Sequence, residues 1–315
     1  MPSEQARIVA LLDEQQAAER AGAEALSRWI TSCREPALRG GLRLIAARDE
    51  SHAALAELRL RALGATPTAR ASRALVTLCG TLSASDVSDR SKLAVLLARF
   101  PEQLYDPFAE LVRQIATDDE TRVLLETIGD DERASLRWLR EMSESVPVES
   151  EEDGLEERDT VVETIDALHA AATAAAEVFS AWLGICGLAS LRGGLRTAAA
   201  REEVHARVLA ERLRELGTAP RLLLDQEVRA AAVDVYSSSQ VSDARKIGFV
   251  LTRYPDPAAV VRVFGWPPEV IREDRETREM LRFVGAGEMD TVAWLRAYDG
   301  TAHSTAAAEV EEDSA

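Results

Sequence analysis

Two short motifs hold the residues best suited to chemistry, Asp49-x-x-His52 and Glu202-x-x-His205. A carboxylate and an imidazole three residues apart share one face of an α-helix. Such a pair can ligate a metal, share a proton or form an ion pair. On a solvated surface it contributes only a few tenths of a kcal/mol. Here both pairs fall on the apolar stripe of their helix. Leu38, Leu42 and Ile45 lead to Asp49 and His52; Leu191, Leu195 and Ala198 lead to Glu202 and His205, with Leu209, Leu213 and Leu216 beyond. Apolar residues advancing by three or four mark a buried helix face. The spacing therefore predicts two interior polar clusters.

The helix carrying each motif is written twice. Leu38-Arg39-Gly40-Gly41-Leu42-Arg43 returns as Leu191-Arg192-Gly193-Gly194-Leu195-Arg196, and the offset stays constant to Gly64 and Gly217. Other landmarks pair as well: Trp29 and Cys33 with Trp182 and Cys186, Val87-Ser88-Asp89 with Val241-Ser242-Asp243, Trp138-Leu139-Arg140 with Trp294-Leu295-Arg296. A period of about 155 residues is that of a domain duplication, since solenoid repeats run about 20–50 residues. In the first half the pattern predicts helices over 4–33, 38–63, 89–100 and 118–142. A crossover over 65–88 contains a short helix near 71–81, and an apolar stretch covers 104–115. In the second half the helices fall at 160–186, 188–216, 243–254 and 274–298, with a crossover over 217–242. The reading is thus a first domain over 1–143, an acidic linker over 144–159, a second domain over 160–299 and a disordered acidic tail over 300–315. Gly40-Gly41 and Gly193-Gly194 lack the strand and the Lys-Ser/Thr of a phosphate loop. They are expected to let helix two approach the Trp29 or Trp182 end of helix one.

Composition narrows the class. The chain has 315 residues, 46 % of them hydrophobic and 29 % charged, which suits a soluble, core-forming protein. Few aromatic residues and abundant Ala, Leu, Arg and Glu favour helix. A net charge of −17 argues against nucleic acid and anionic membrane as partners. No signal peptide or membrane-length apolar run is read from the sequence. The three cysteines form neither a disulfide pattern nor a metal pair, so a reducing cytoplasm is expected and Cys33 and Cys186 read as small core residues.

Two long helices, a crossover and two further helices, with a carboxylate-x-x-His motif on helix two, make each half resemble the ferritin-like superfamily. The resemblance spans residues 4–143 and 160–298 and implies an all-α fold of two tandem four-helix bundles, each with a long crossover between helices two and three. It also implies di-iron sites, in which helix one gives a Glu, helices two and four a Glu-x-x-His each, and helix three a Glu. Carried over residue by residue, the first half offers Glu19, Asp49, His52 and Glu132, with Ser135 in place of the second His. The second half offers Glu202, His205 and Glu288, with Ala172 in place of the helix-one Glu, His169 one turn away and Thr291 in place of His. Helix three offers no acid in either half. The only lysines, Lys92 and Lys246, fall at equivalent positions of helix three. Each either neutralises Glu132 or Glu288 in place of a metal, or flanks the seam and reaches water.

Two functions follow from the resemblance. One is a protein of reduced ligand set without ferroxidase activity, serving as scaffold, partner-binding module or carrier, with no cofactor. The other is a non-haem iron protein or oxidoreductase of iron or peroxide handling that uses Asp49/His52 and Glu202/His205. A single composite site arises if the two motif pairs face one another. The sequence leaves open whether the chain is an enzyme, whether it binds a protein partner and whether it forms a homo-oligomer.

Overall fold

The computed structural model describes residues 3–100, 107–145, 158–263 and 271–312. Among these residues it has twelve helices and no strand. Two antiparallel hairpins form its frame: α1 (Glu4–Ser32) with α2 (Pro36–Ala62), and α7 (Arg158–Ile185) with α8 (Ala189–Glu215). Their ends are set by local chemistry. Ser3 caps α1 by accepting from the Ala6 N–H at 3.2 Å, and Pro36 opens α2, where its missing N–H has no role. Gly64 and Gly217 stop α2 and α8 at φ of +77° and +75°, a conformation that a side chain disfavours.

The crossovers are pinned twice in each half. Asp13 on α1 accepts from the Thr68 and Ala69 N–H groups at 2.9 Å, and Asp166 on α7 does the same for Arg221 and Leu222. Trp29 Nε1 donates to Asp89 at 2.7 Å, and Trp182 Nε1 donates to Asp243 at 2.7 Å. Between these pins lie short helices. The first half has α3 (Arg73–Ser83), α4 (Asp89–Arg99) and α5 (Pro107–Arg113); the second has α9 (Gln226–Ser237), α10 (Asp243–Arg253) and α11 (Ala258–Val263). No long third helix accompanies the hairpins among the described residues. Burial pushes the Cys33 thiol up to about 12 and the Cys186 thiol up to about 11, as inert core cysteines require.

The last helix of each half, α6 (Asp119–Ser145) and α12 (Arg275–Glu312), departs from a picture of separate bundles. Along its own half, α6 runs antiparallel to α2. Asp118 meets Arg59 at 2.7 Å near one end, and Trp138 lies against Gly41 near the other. Its closest backbone packing is nevertheless on α8 of the other half, and α12 packs in the same way on α2. Glycine makes both approaches close. A Cβ at Gly193 would stand 2.6 Å from Glu120 O, and one at Gly40 would stand 2.2 Å from Glu276 O. The glycine pairs thus admit helix four, not helix one as the sequence suggested. Buried ion clusters fasten these contacts. Glu120 meets Arg192 at 2.7 Å and Arg196 at 2.8 Å; Glu276 meets Arg39 at 2.5 Å and Arg43 at 2.8 Å.

One apolar core consequently draws on both halves, joining Trp29, Leu38 and Leu42 to Leu209, Leu213, Met280 and Phe283. The division at 144–159 separates sequence halves, not packing units, and residues 146–157 of that linker lie outside the described residues. The expected disordered tail also differs, because the backbone of α12 stays helical to Glu312 through a segment rich in Ala and Glu, both strong helix formers. By length and composition α7 meets the requirement for a membrane span, with a mean hydropathy of 1.2, contrary to the sequence reading. It packs along α8 and α9, burying Ile165, Phe179 and Trp182.

Gly40→Ala and Gly193→Ala should each lower stability by about 1–3 kcal/mol through overpacking against a backbone carbonyl. Gly80→Ala and Gly248→Ala meet open space and should be neutral or stabilising by up to about 1 kcal/mol. Urea unfolding of the four variants checks this, and equal effects in all four would contradict the cross-half packing.

Candidate metal centre

The charged residues enclosed by these helices form two clusters. In the first, α1 supplies Glu19, α2 supplies Asp49 and His52, and α6 supplies Asp131 and Glu132. His52 Nε2 lies 3.2 Å from Asp131 Oδ2. Asp131 also accepts from Arg201 Nη2 at 2.8 Å and has Arg48 Nη1 at 3.6 Å. Burial works against the Asp131 charge, but the two guanidiniums outweigh it and hold that carboxyl well below the usual range. Asp131 is therefore ionised, and His52 Nε2 carries the proton that faces it. The ring is fixed, with Nδ1 turned to the opposite side.

On that side lie Glu132 Oε1 at 3.3 Å and Glu19 Oε2 at 3.9 Å. The Nδ1 atom, Glu132 Oε1 and Asp49 Oδ1 are all buried without a hydrogen-bond partner. Ligand atoms of Glu19, His52 and Glu132 lie within 4.8 Å of one another, a span that one ion can bridge. Asp49 stands behind them, and its Oδ2 would be 2.7 Å from a Cβ at Gly22, so Gly22 makes room for it. Burial and the Glu132 charge raise Glu19 to about 7, and they raise Asp49 well above its ordinary value. Burial alone would lower His52, yet its contacts with Asp131, Glu132 and Glu19 hold it well above. Without a metal this cluster keeps extra protons. With one, those protons can leave and the anionic oxygens gain a counter-charge.

The second cluster contains Glu202 and His205 of α8 with Glu288 of α12. It satisfies itself differently. His205 Nδ1 donates to Glu288 Oε1 at 2.8 Å. Burial and the neighbouring Glu288 raise Glu202 well above its usual value, so it stays protonated and donates to Glu288. Two carboxylate charges about 4 Å apart would repel by about 4 kcal/mol at an effective dielectric constant near 20, so a shared proton is favoured. Burial opposes the Glu288 charge, but the hydrogen bond from His205 outweighs it and holds Glu288 below its usual value. Burial lowers His205, and the Glu288 contact does not reverse this. One imidazole is thus pushed up and its sequence counterpart down.

The first cluster brings together Glu19, Asp49, His52 and Glu132, and the second Glu202, His205 and Glu288. His169 does not join them. Its charged neighbours are Asp166 and Arg214, and Arg214 lies about 13 Å from His205 along α8 at 1.5 Å per residue. The lysines do not reach Glu132 or Glu288 either. Lys92 is buried at the end of α1, where Nζ donates to Ser32 Oγ at 3.2 Å and lies 5.5 Å from the Trp29 ring centroid. Lys246 is buried with Asp243 and the Cys186 thiol as its ionisable neighbours. Neither replaces a metal, and neither snorkels to water. A composite site is also absent among the described residues, because Arg48, Asp131 and Arg201 stand between the two motif pairs.

Sequence reasoning missed Asp131, Arg48 and Arg201. A usable signal was present: Arg48 and Arg201 are equivalent in the repeat and each directly precedes the motif acid. No protein-family model, curated protein or solved structure matches the chain.

In metal-free protein, the cluster groups with raised folded-state values (Glu19, Asp49, His52 and Glu202) lend stability at low pH that is lost as pH rises through those values. His205, lowered in the fold, acts only below its unfolded value of about 6.5. The melting temperature should therefore fall from pH 7 to 8.5, and Asp49→Asn should reduce the fall. Thermal melts with a chelator present check this, and a flat or rising profile would contradict the assignment.

Proposed function

We propose that the protein is a ferritin-like helical protein that keeps one mononuclear metal site, formed by Glu19, Asp49, His52 and Glu132, without paired-iron ferroxidase chemistry. The observation that carries this reading is the orientation of His52. Asp131 accepts the hydrogen bond from its Nε2–H and leaves Nδ1, with no hydrogen bond, beside carboxylate oxygens of Glu19 and Glu132. Metal-bound histidines commonly donate their second ring N–H to a carboxylate in this way. One nitrogen and several oxygens suit Fe²⁺, Mn²⁺ or Zn²⁺ better than soft metals.

The residues divide the work. Glu19, His52 and Glu132 would hold the ion, with Asp49 close enough to add a fourth oxygen. Asp131 orients the imidazole, and Arg201 keeps Asp131 ionised. A bound divalent ion would supply Lewis acidity and the positive charge that these buried carboxylates otherwise lack. The two-half repeat is read as a duplication of the ferritin-like unit whose second copy has given up its site. Ser135 and Thr291, at the positions of the superfamily's second histidines, remove ligands on which paired iron depends.

A second reading, a metal-free scaffold or carrier, is favoured by the Glu202/His205/Glu288 cluster, which closes on itself by hydrogen bonds. Elemental analysis after purification from iron-supplemented cells, followed by Co²⁺ titration of the stripped protein, separates the two. One ion per chain is expected, with affinity lowered at least about 100-fold by His52→Ala and little changed by His205→Ala. No binding by folded wild-type protein would favour the scaffold, and two ions per first-half site would restore the paired-iron reading.

A further inference from the structure

We propose that Arg48 closes the second cluster to metal: its guanidinium reaches across Gly287 and stands as a built-in cation on the His205 side of the Glu202/His205/Glu288 cluster. The inference deepens the metal-site reading above, and it rests on a position where the two helix fours differ inside the clusters. Asp131 precedes Glu132; Gly287 precedes Glu288. A Cβ at residue 287 would stand 2.6 Å from Arg48 Nη2, 3.1 Å from Arg201 Cδ and 3.1 Å from His205 Cε1. Any side chain there would displace the arginines, so glycine is what admits Arg48.

The consequence is electrostatic. In the first cluster, the Asp131 carboxylate stands between His52 and the two guanidiniums, so the imidazole meets anions. In the second, no carboxylate takes that place, and His205 faces Arg48 and Arg201 directly. The two arginines are not equivalent. Arg201 is matched: Nη2 donates to Asp131 at 2.8 Å, and Nη1 donates to Thr291 Oγ1 at 2.5 Å and to Gly287 O at 3.2 Å. Arg48 is the less fully bonded of the two. It lies 3.6 Å from Asp131 and 4.4 Å from the Phe283 ring centroid, while Nε and Nη2 are buried without a hydrogen-bond partner. Asp290, exposed, is the other acid whose charge both arginines feel; Arg48 also feels Glu132, and Arg201 also feels Glu288.

A divalent ion bridging Glu202, His205 and Glu288 would therefore sit near a guanidinium whose Nη2 has no hydrogen-bond partner, and that set also lacks the oxygen that Glu19 gives the first cluster, because Ala172 stands there. Ligand spacing alone does not exclude the site, since these three residues also present ligand atoms within 4.8 Å of one another. On this account the second cluster is a latent site that Arg48 holds shut.

The test uses the full chain with the first cluster disabled by His52→Ala, so it does not depend on whether that cluster binds metal. Co²⁺ is the probe, followed by its visible absorption, and circular dichroism melts establish folding. His52→Ala should show no saturable binding, whereas His52→Ala/Arg48→Met should gain one site at least about 100-fold tighter. That gain should vanish on adding His205→Ala. Repulsion between a divalent ion and a guanidinium a few ångströms away supports an effect of this size even at an effective dielectric constant near 20. If the double variant does not fold, Arg48→Met alone is titrated, and its stoichiometry should exceed that of wild type by one. Binding at the second cluster with Arg48 in place, or no gain in a folded Arg48→Met variant, would overturn the inference. Failure of the first site would appear separately, as a blank wild-type titration.

Discussion

A charge buried in protein must meet an opposite charge or give up its ionisation. That constraint governs this molecule because each helix four carries acids into a space walled by two arginine-bearing helices. Glu120 and Glu276, almost wholly buried, are each met by guanidiniums of the other half's helix two and by one from their own half, Arg59 or Arg212. Removing one such acid would leave several guanidiniums in contact, the kind of loss that costs about 3–5 kcal/mol. Glycines at Gly40 and Gly193 bring the backbones together, and the ion clusters select which helices meet. The hairpins are thereby interlocked, and the polar clusters are shut inside one shared core.

The same constraint explains why two nearly identical motifs become chemically unlike. Asp49/His52 and Glu202/His205 occupy equivalent helix positions, so local geometry does not distinguish them. The difference enters from other helices: from α6 and α12, one residue before the matching glutamates, and from α1, whose Glu19 is matched by Ala172 on α7. Asp131 gives His52 an ionised partner and draws Arg201 to itself. Gly287 gives His205 no such partner and lets Arg48 approach. Whether an imidazole in this fold is rich in protons or poor in them is thus decided by residues on other helices.

Much of the local structure was legible in the sequence. The spans of α1, α2, α7 and α8 agree with the 3.6-residue apolar period to within about two residues, because period, caps and glycine stops are all local signals. The buried placement of His52 and His205 was legible for the same reason. Partners were harder to read. Gly40-Gly41 announced a close approach but not its source, since contact with α12 spans more than two hundred residues of chain. Arg48 and Arg201 lie next to the motif acids, about 100° around the helix, where a lone helix would face water; here α12 and α6 cover that second face. His169 looked near enough on the helix to join the second cluster, but a full turn directs it toward Arg214. Equivalence of Lys92 and Lys246 showed that a cation is wanted, and the wanted place proved to be the C-terminal end of α1 and of α7, neither of which has a basic residue in its last turn.

Four histidines make the central contrast directly measurable. Imidazole ¹H–¹⁵N correlation spectra of the metal-free protein, recorded from pH 5 to 9 and assigned with His→Gln variants, report the charge of His52 and His205 separately. The account expects His52 to keep its proton to higher pH than an ordinary imidazole and His205 to lose its proton at lower pH than one. Coincident titration of the two rings near pH 6.5 would contradict it, because Asp131 and Gly287 would then have no bearing on the chemistry around them.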